Sequence, residues 1–210
     1  MYNVPLPYKR KIHFDGNSLM NLSGAGTSPG TVNGYYVGSK TMSLISDLGL
    51  IYYCYGIGNK RTWQLTNDFP TKILPNLQVN DIVVMWEITN NAHDETTDTT
   101  GTILYNNIVS YCNMVRGYGA KIIIVTGIAR DMTGFDDANI TDRIMACNAL
   151  IRSNWATFCD AIADVGALSQ FDQKADVSNL TYYFSDRTHL QTAGYDLVSG
   201  LLETAIRSII

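Results

Sequence analysis

Three histidines occur in the 210 residues, His13, His93 and His189, and histidine is the side chain best placed to accept a proton near neutral pH. A serine hydroxyl becomes a useful nucleophile when such a base takes its proton. His189 lies in Ser185-Asp186-Arg187-Thr188-His189-Leu190, with Asp186 three residues before it. In a tight turn that spacing can put a carboxylate beside the imidazole Nδ1, where it would fix the tautomer and stabilise the imidazolium. Ser18, in Phe14-Asp15-Gly16-Asn17-Ser18-Leu19, follows a short strand, so its hydroxyl would project above a sheet and its N–H would be available to an oxyanion. Taken alone, Gly-Asn-Ser-Leu also reads as a polar strand-to-loop turn. In Trp86-Glu87-Ile88-Thr89-Asn90-Asn91 an asparagine amide can aim an N–H at developing negative charge, or simply turn the chain. His13, inside the first strand, reads as structural. His93, in a polar segment, reads as exposed or beside a substrate. Together these groups would support acyl transfer.

They are far apart in the chain, so regular elements must gather them. Lys11 to Asp15 reads as a strand, Asn21 to Asn33 as a Gly/Ser/Thr/Asn-rich loop, and Tyr36 to Leu48 as a helix stopped by Gly49. Leu50 to Tyr55, Asp81 to Trp86 and Lys121 to Thr126 read as strands, and the last two carry unbroken apolar runs, as buried parallel strands do. Helices are expected over about Thr102 to Tyr118, Ile140 to Phe158 and Gln191 to Ile209. Asp160 to Asp164 would be a last short strand. Glu87 to Thr100 and most of Val165 to Thr188 read as loop. The alternation predicts a three-layer α/β/α fold around a flavodoxin-like five-stranded parallel sheet of order 2-1-3-4-5. Ligands bind beyond the carboxyl ends of such strands. The segments after Asp15, Tyr55, Trp86 and Thr126, and the one before the last helix, are therefore where function is expected.

The length fits one domain over residues 1–210. A net charge of −4 without a basic run argues against nucleic acid as a partner. No apolar run reaches the ~20 residues that span a membrane, and the N-terminus shows no signal-peptide core, so the compartment stays open. Cys54, Cys112, Cys147 and Cys159 have no C-x-x-C spacing and read as reduced, mostly buried thiols.

Four blocks, in order, resemble those of the SGNH (GDSL-like) hydrolase family. Gly16-Asn17-Ser18-Leu19 is similar to its G-D-S-L block and Gly56-Ile57-Gly58-Asn59 to its glycine block. Thr89-Asn90-Asn91 is similar to its G-x-N-D block, and Asp186-x-x-His189 with Leu190 to Tyr195 to its closing D-x-x-H block and helix. The resemblance runs from Ile12 to about Leu202. It implies an SGNH hydrolase fold with Ser18 as nucleophile, His189 as base and Asp186 as its orienting carboxylate. It also implies an oxyanion hole from the Ser18 N–H, an N–H of Gly58 or Asn59, and the Asn90 amide. No metal or organic cofactor is implied. Asn17 departs from the family's aspartate, Asn59 from its oxyanion glycine, and Ile88 and Asn91 from the third block.

The glycine-rich stretch after Ser18 is similar to that of carbohydrate acetylesterases such as rhamnogalacturonan acetylesterases. The third block with His93 resembles platelet-activating-factor acetylhydrolase catalytic subunits. Both imply removal of short acyl groups, here from a glycan or another small ester, with Tyr35, Trp63, Trp86, Tyr182 and Tyr183 available for sugar stacking or for packing. Alternatives are a lipid or general short-chain esterase or thioesterase of the same fold, a decayed carbohydrate-binding or virion-surface module, and a metal-dependent hydrolase built on His93-Asp94-Glu95 with Asp186 and His189.

Overall fold

A computed structural model describes residues 9–20 and 38–210, leaving aside the side chains of 38–40 and 42. Strands β1 (Lys11–Gly16), β2 (Ile51–Cys54), β3 (Ile82–Trp86), β4 (Lys121–Val125) and β5 (Ala161–Ala163) form one sheet. Every pairing is parallel and the order is β2-β1-β3-β4-β5. The fold class and strand order therefore match the sequence-based expectation.

Side chains alternate across a strand, so the unbroken apolar runs feed two cores. Ile12, Phe14, Ile82, Val84, Trp86, Ile123 and Val125 face helices α1 (Gly38–Asp47) and α6 (Thr192–Arg207). Val83, Met85, Ile122 and Ile124 face α2 (Thr62–Lys72), α3 (Thr89–Asp94), α4 (Thr102–Gly117) and α5 (Ile140–Asn154). Each large apolar side chain fully buried this way stabilises the fold by roughly 1.5–3 kcal/mol.

Two expectations are corrected. The segment from Glu87 to Thr100 is not all loop, because α3 occupies its first half. Its residues are poor helix formers, but the buried Glu87 carboxylate accepts the backbone N–H groups of Asn90 (2.9 Å) and Asn91 (3.2 Å), supplying partners that a helix start lacks. The long helix predicted to Phe158 gives way to a 3₁₀ turn at Trp155–Thr157. Helix α2 was not anticipated, since Pro70 interrupts its pattern. The stretch Asn21 to Asn33, Tyr35 and the first two residues of the predicted Tyr36–Leu48 helix lie outside the described residues.

Candidate active site

Strand β1 ends in a close approach to β3 at Gly16. A Cβ on Gly16 would sit 2.3 Å from the Trp86 carbonyl oxygen, so this position admits only glycine. Asn17 then donates its N–H to Trp86 O at 3.3 Å. Its side-chain Oδ1 accepts the N–H of Leu19 at 2.8 Å, and its carbonyl accepts that of Met20 at 3.1 Å. These bonds make a tight turn that lifts Ser18 to the end of the sheet. The Ser18 N–H has no hydrogen-bond partner among the described residues.

Ser18 Oγ lies 2.8 Å from His189 Nε2, and His189 Nδ1 lies 2.6 Å from Asp186 Oδ2. Asp186 Oδ1 also accepts the backbone N–H groups of Thr188 and His189, both at 3.0 Å. Partial burial acts to raise the Asp186 pKa, but the hydrogen bonds from the His189 side chain and from these two N–H groups outweigh it and bring it to about 2. An ionised carboxylate only accepts, so the imidazole proton is on Nδ1 and Nε2 is left bare to receive the serine proton. Arg187, at φ 58°, makes the turn that brings Asp186 and His189 together. Three further bonds seat the segment: Phe184 N to His189 O (2.8 Å), Gln191 N to Tyr182 O (2.8 Å) and Asp131 N to Arg187 O (3.1 Å).

The glycine block reaches the same place, with Ile57 donating its N–H to Gly16 O at 3.1 Å. Gly58 and Asn59 are exposed, Asn59 takes φ 64°, and neither N–H is bonded within the described backbone. Asn90 is 8% exposed. Its Nδ2 donates to Lys60 O at 3.0 Å and its Oδ1 accepts from Arg130 Nη1 at 2.7 Å. Arginine can only donate, so the orientation of this amide follows from the network. One of its two N–H groups goes to Lys60, and the other has no partner among the described residues.

Beneath these loops lies Glu87, which the sequence reading did not single out. It is fully buried. Besides the start of α3 it accepts from Thr62 Oγ1 at 2.7 Å and, at 3.5 Å, from Asn17 Nδ2. Asn17 Nδ2 donates to Thr89 Oγ1 at 2.8 Å as well. Burial pushes the Glu87 carboxyl up to about 6 against the lowering by these hydrogen bonds. One carboxylate thus joins the serine turn, the start of α2 and the start of α3. Asn17, where the resembled family has aspartate, places a neutral donor rather than a second carboxylate beside Glu87. Arg130 and Asp136 also escaped the sequence reading. The signal available was position: Arg130 follows β4 at the carboxyl end of the sheet, where the fold places function.

Other candidates fall elsewhere. His13 is buried, 3.5 Å from Asp81, and burial lowers its pKa. His93 is engaged by Asp136 at 3.2 Å and stacks on Phe135 with ring centroids 4.5 Å apart. Among the described residues no group of three or more His, Cys, Asp or Glu is gathered as a metal site. Trp86 and Tyr183 are fully buried, so neither can stack on a sugar. Trp63 is exposed and Tyr182 half-buried. Cys112, Cys147 and Cys159 are buried, and no disulfide joins any of the four cysteines.

No protein-family model matches the sequence, and no curated protein matches it. Solved structures do. A GDSL-like lipase from Bacteroides thetaiotaomicron superposes with a TM-score of 0.69 at 17% identity, over 96% of this chain and 89% of its own. A chain from Slackia heliotrinireducens assigned to the SGNH hydrolases gives a TM-score of 0.63 at 20% identity, over 95% and 100%. A variant of an acetyl-xylooligosaccharide esterase from Geobacillus gives 0.65 at 14% identity, over 94% of each chain. With the parallel order β2-β1-β3-β4-β5 and helices on both faces, the chain has the fold of the SGNH (GDSL-like) hydrolases.

Proposed function

We propose that the protein is a serine esterase that removes short acyl groups, acetyl above all, from a carbohydrate. The observation that carries this reading is the hydrogen-bonded series Ser18 Oγ, His189 Nε2, His189 Nδ1, Asp186 Oδ2, at 2.8 and 2.6 Å. Ser18 Oγ attacks the ester carbonyl carbon while its proton passes to His189 Nε2. The carbonyl oxygen becomes an oxyanion that takes N–H groups from Ser18, from Gly58 or Asn59, and from the Asn90 amide. Collapse breaks the bond to the alcohol oxygen, which leaves with the proton from His189. Water then attacks the acyl-Ser18 carbonyl and gives a proton to His189. The acid departs, and Ser18 recovers its proton from the imidazolium.

The acetyl and carbohydrate part of the reading is supported by the glycine-rich stretch after Ser18 in the sequence and by the acetyl-xylooligosaccharide esterase among the similar folds. The test is acetate release from a panel of O-acetylated glycans, with Ser18→Ala as control and 4-nitrophenyl esters of increasing chain length alongside. Acetate release by the wild type alone, with activity falling from acetate to longer esters, is expected. Release equal to the Ser18→Ala control on every substrate refutes it. Ser18→Ala and His189→Ala should each remove most turnover, and the double variant should be little worse than either, because the groups act as a unit.

A further inference from the structure

A buried cation stands behind the Asn90 amide. Arg130, just after β4, is 3% exposed. Its Nη1 donates to Asn90 Oδ1 at 2.7 Å, and its Nε to Asp136 Oδ2 at 2.8 Å. Asp136 is itself shielded from solvent and accepts the N–H of Met132 at 2.7 Å. Thr141 clamps the Arg130 backbone, accepting its N–H at 3.1 Å and donating to its carbonyl at 2.7 Å. Desolvating a guanidinium is costly, and a neutral amide needs no cation to satisfy its oxygen. The pair Arg130–Asp136 therefore does more for Asn90 than fill a hydrogen-bond vacancy.

We propose that Arg130, anchored by Asp136, is a positioning residue that holds the Asn90 amide with its N–H edge toward the oxyanion and polarises it. This rests on the esterase reading above. The orientation follows because a guanidinium offers no acceptor, which excludes the flipped amide. The polarisation follows because a charge-assisted bond at Oδ1 is about twice as strong as a neutral one. It draws electron density from the amide nitrogen, and the remaining N–H becomes a stronger donor to an anion. Such a donor matters most when negative charge has developed, so its loss falls on kcat rather than KM.

The test is 4-nitrophenyl acetate kinetics for wild type, N90A, R130M, R130K and N90A/R130M. Rates are taken per active site titrated with diethyl 4-nitrophenyl phosphate, and folding is followed by circular dichroism. N90A should lose about 10²–10³-fold in kcat. R130M should lose about 10–100-fold, the worth of a hydrogen bond to a charged group, at nearly constant KM. R130K, which keeps a cation, should fall between R130M and wild type. N90A/R130M should match N90A, since without the amide there is nothing to orient. A kcat per titrated site in R130M equal to wild type overturns the proposal. So does a double variant whose loss is the product of the two single losses. If R130M does not fold, R130K with N90A/R130K carries the same comparison. If wild type does not exceed the Ser18→Ala control, the esterase reading falls first and takes this assignment with it.

Discussion

Restoring the resembled family's aspartate at position 17 should weaken this protein, and the weakening should grow with pH. Asn17 Nδ2 lies 3.5 Å from Glu87 Oε1, and Glu87 is fully buried with its carboxyl already pushed up to about 6 by burial. Asn17→Asp would set a second carboxylate at that distance. At an effective dielectric of ~20 the repulsion between two charges there is about 5 kcal/mol, enough for the pair to keep one proton through the neutral range. The unfolded chain has released that proton above about pH 4.5. Stability must therefore fall by about 1.4 kcal/mol for each pH unit over which the folded pair still holds it. In the wild type the corresponding loss, from Glu87 alone, is complete once the pH passes about 6. Between pH 6 and 8 the variant should lose roughly 3 kcal/mol relative to wild type, or roughly 6–12 °C in Tm for a chain of this size. Thermal melts followed by circular dichroism at half-unit pH steps measure it, with Asn17→Ser as an uncharged control that shows no such slope. A Tm gap between Asn17→Asp and wild type that stays constant from pH 6 to 8 would refute the coupling with Glu87.

Asp186→Asn should lower kcat by about 10⁴-fold, because the amide permits the wrong imidazole tautomer. The wild-type carboxylate, held at about 2, keeps its stabilising contribution above the ordinary value of about 3.8 and loses it only as the pH falls through about 2. Pre-steady-state and steady-state 4-nitrophenyl acetate assays across pH 5–8 check the kinetic effect, and a loss under 10-fold contradicts the assigned role. Gly16→Ala places a methyl 2.3 Å from Trp86 O. Overpacking should cost about 1–3 kcal/mol, seen as a lower Tm together with lower turnover as the serine turn shifts. An unchanged melt would mean that β1 and β3 can separate freely there.

The sheet could be read from the sequence because its signal is local. Runs such as Ile82–Trp86 and residues 122–125 are apolar on both faces, as a doubly covered parallel strand needs. The hydrogen-bonded series of Ser18, His189 and Asp186 was legible for a similar reason: Asp186 and His189 are close in sequence, and Ser18 follows a strand and a glycine. The short helix α3 was hidden because its stability comes from Glu87 rather than from Thr-Asn-Asn-Ala-His-Asp itself. Arg130 was hidden because an arginine after a strand is ordinarily a surface residue, and only tertiary packing brings it to Asn90. Phe135 and Trp63 stand exposed while Trp86 and Tyr183 are enclosed. Aromatic content alone does not separate those two fates.

Asp186 and His189 are joined within one four-residue turn, whereas the link to Ser18 is a single contact across 171 positions of chain. The acid–base couple is thus a self-contained cartridge docked on a platform that carries the nucleophile. On the proposed esterase reading, slippage of that turn by an ångström would break the Ser18–His189 contact and stop turnover. Loss of turnover on warming should accordingly precede melting of the sheet and be regained on cooling.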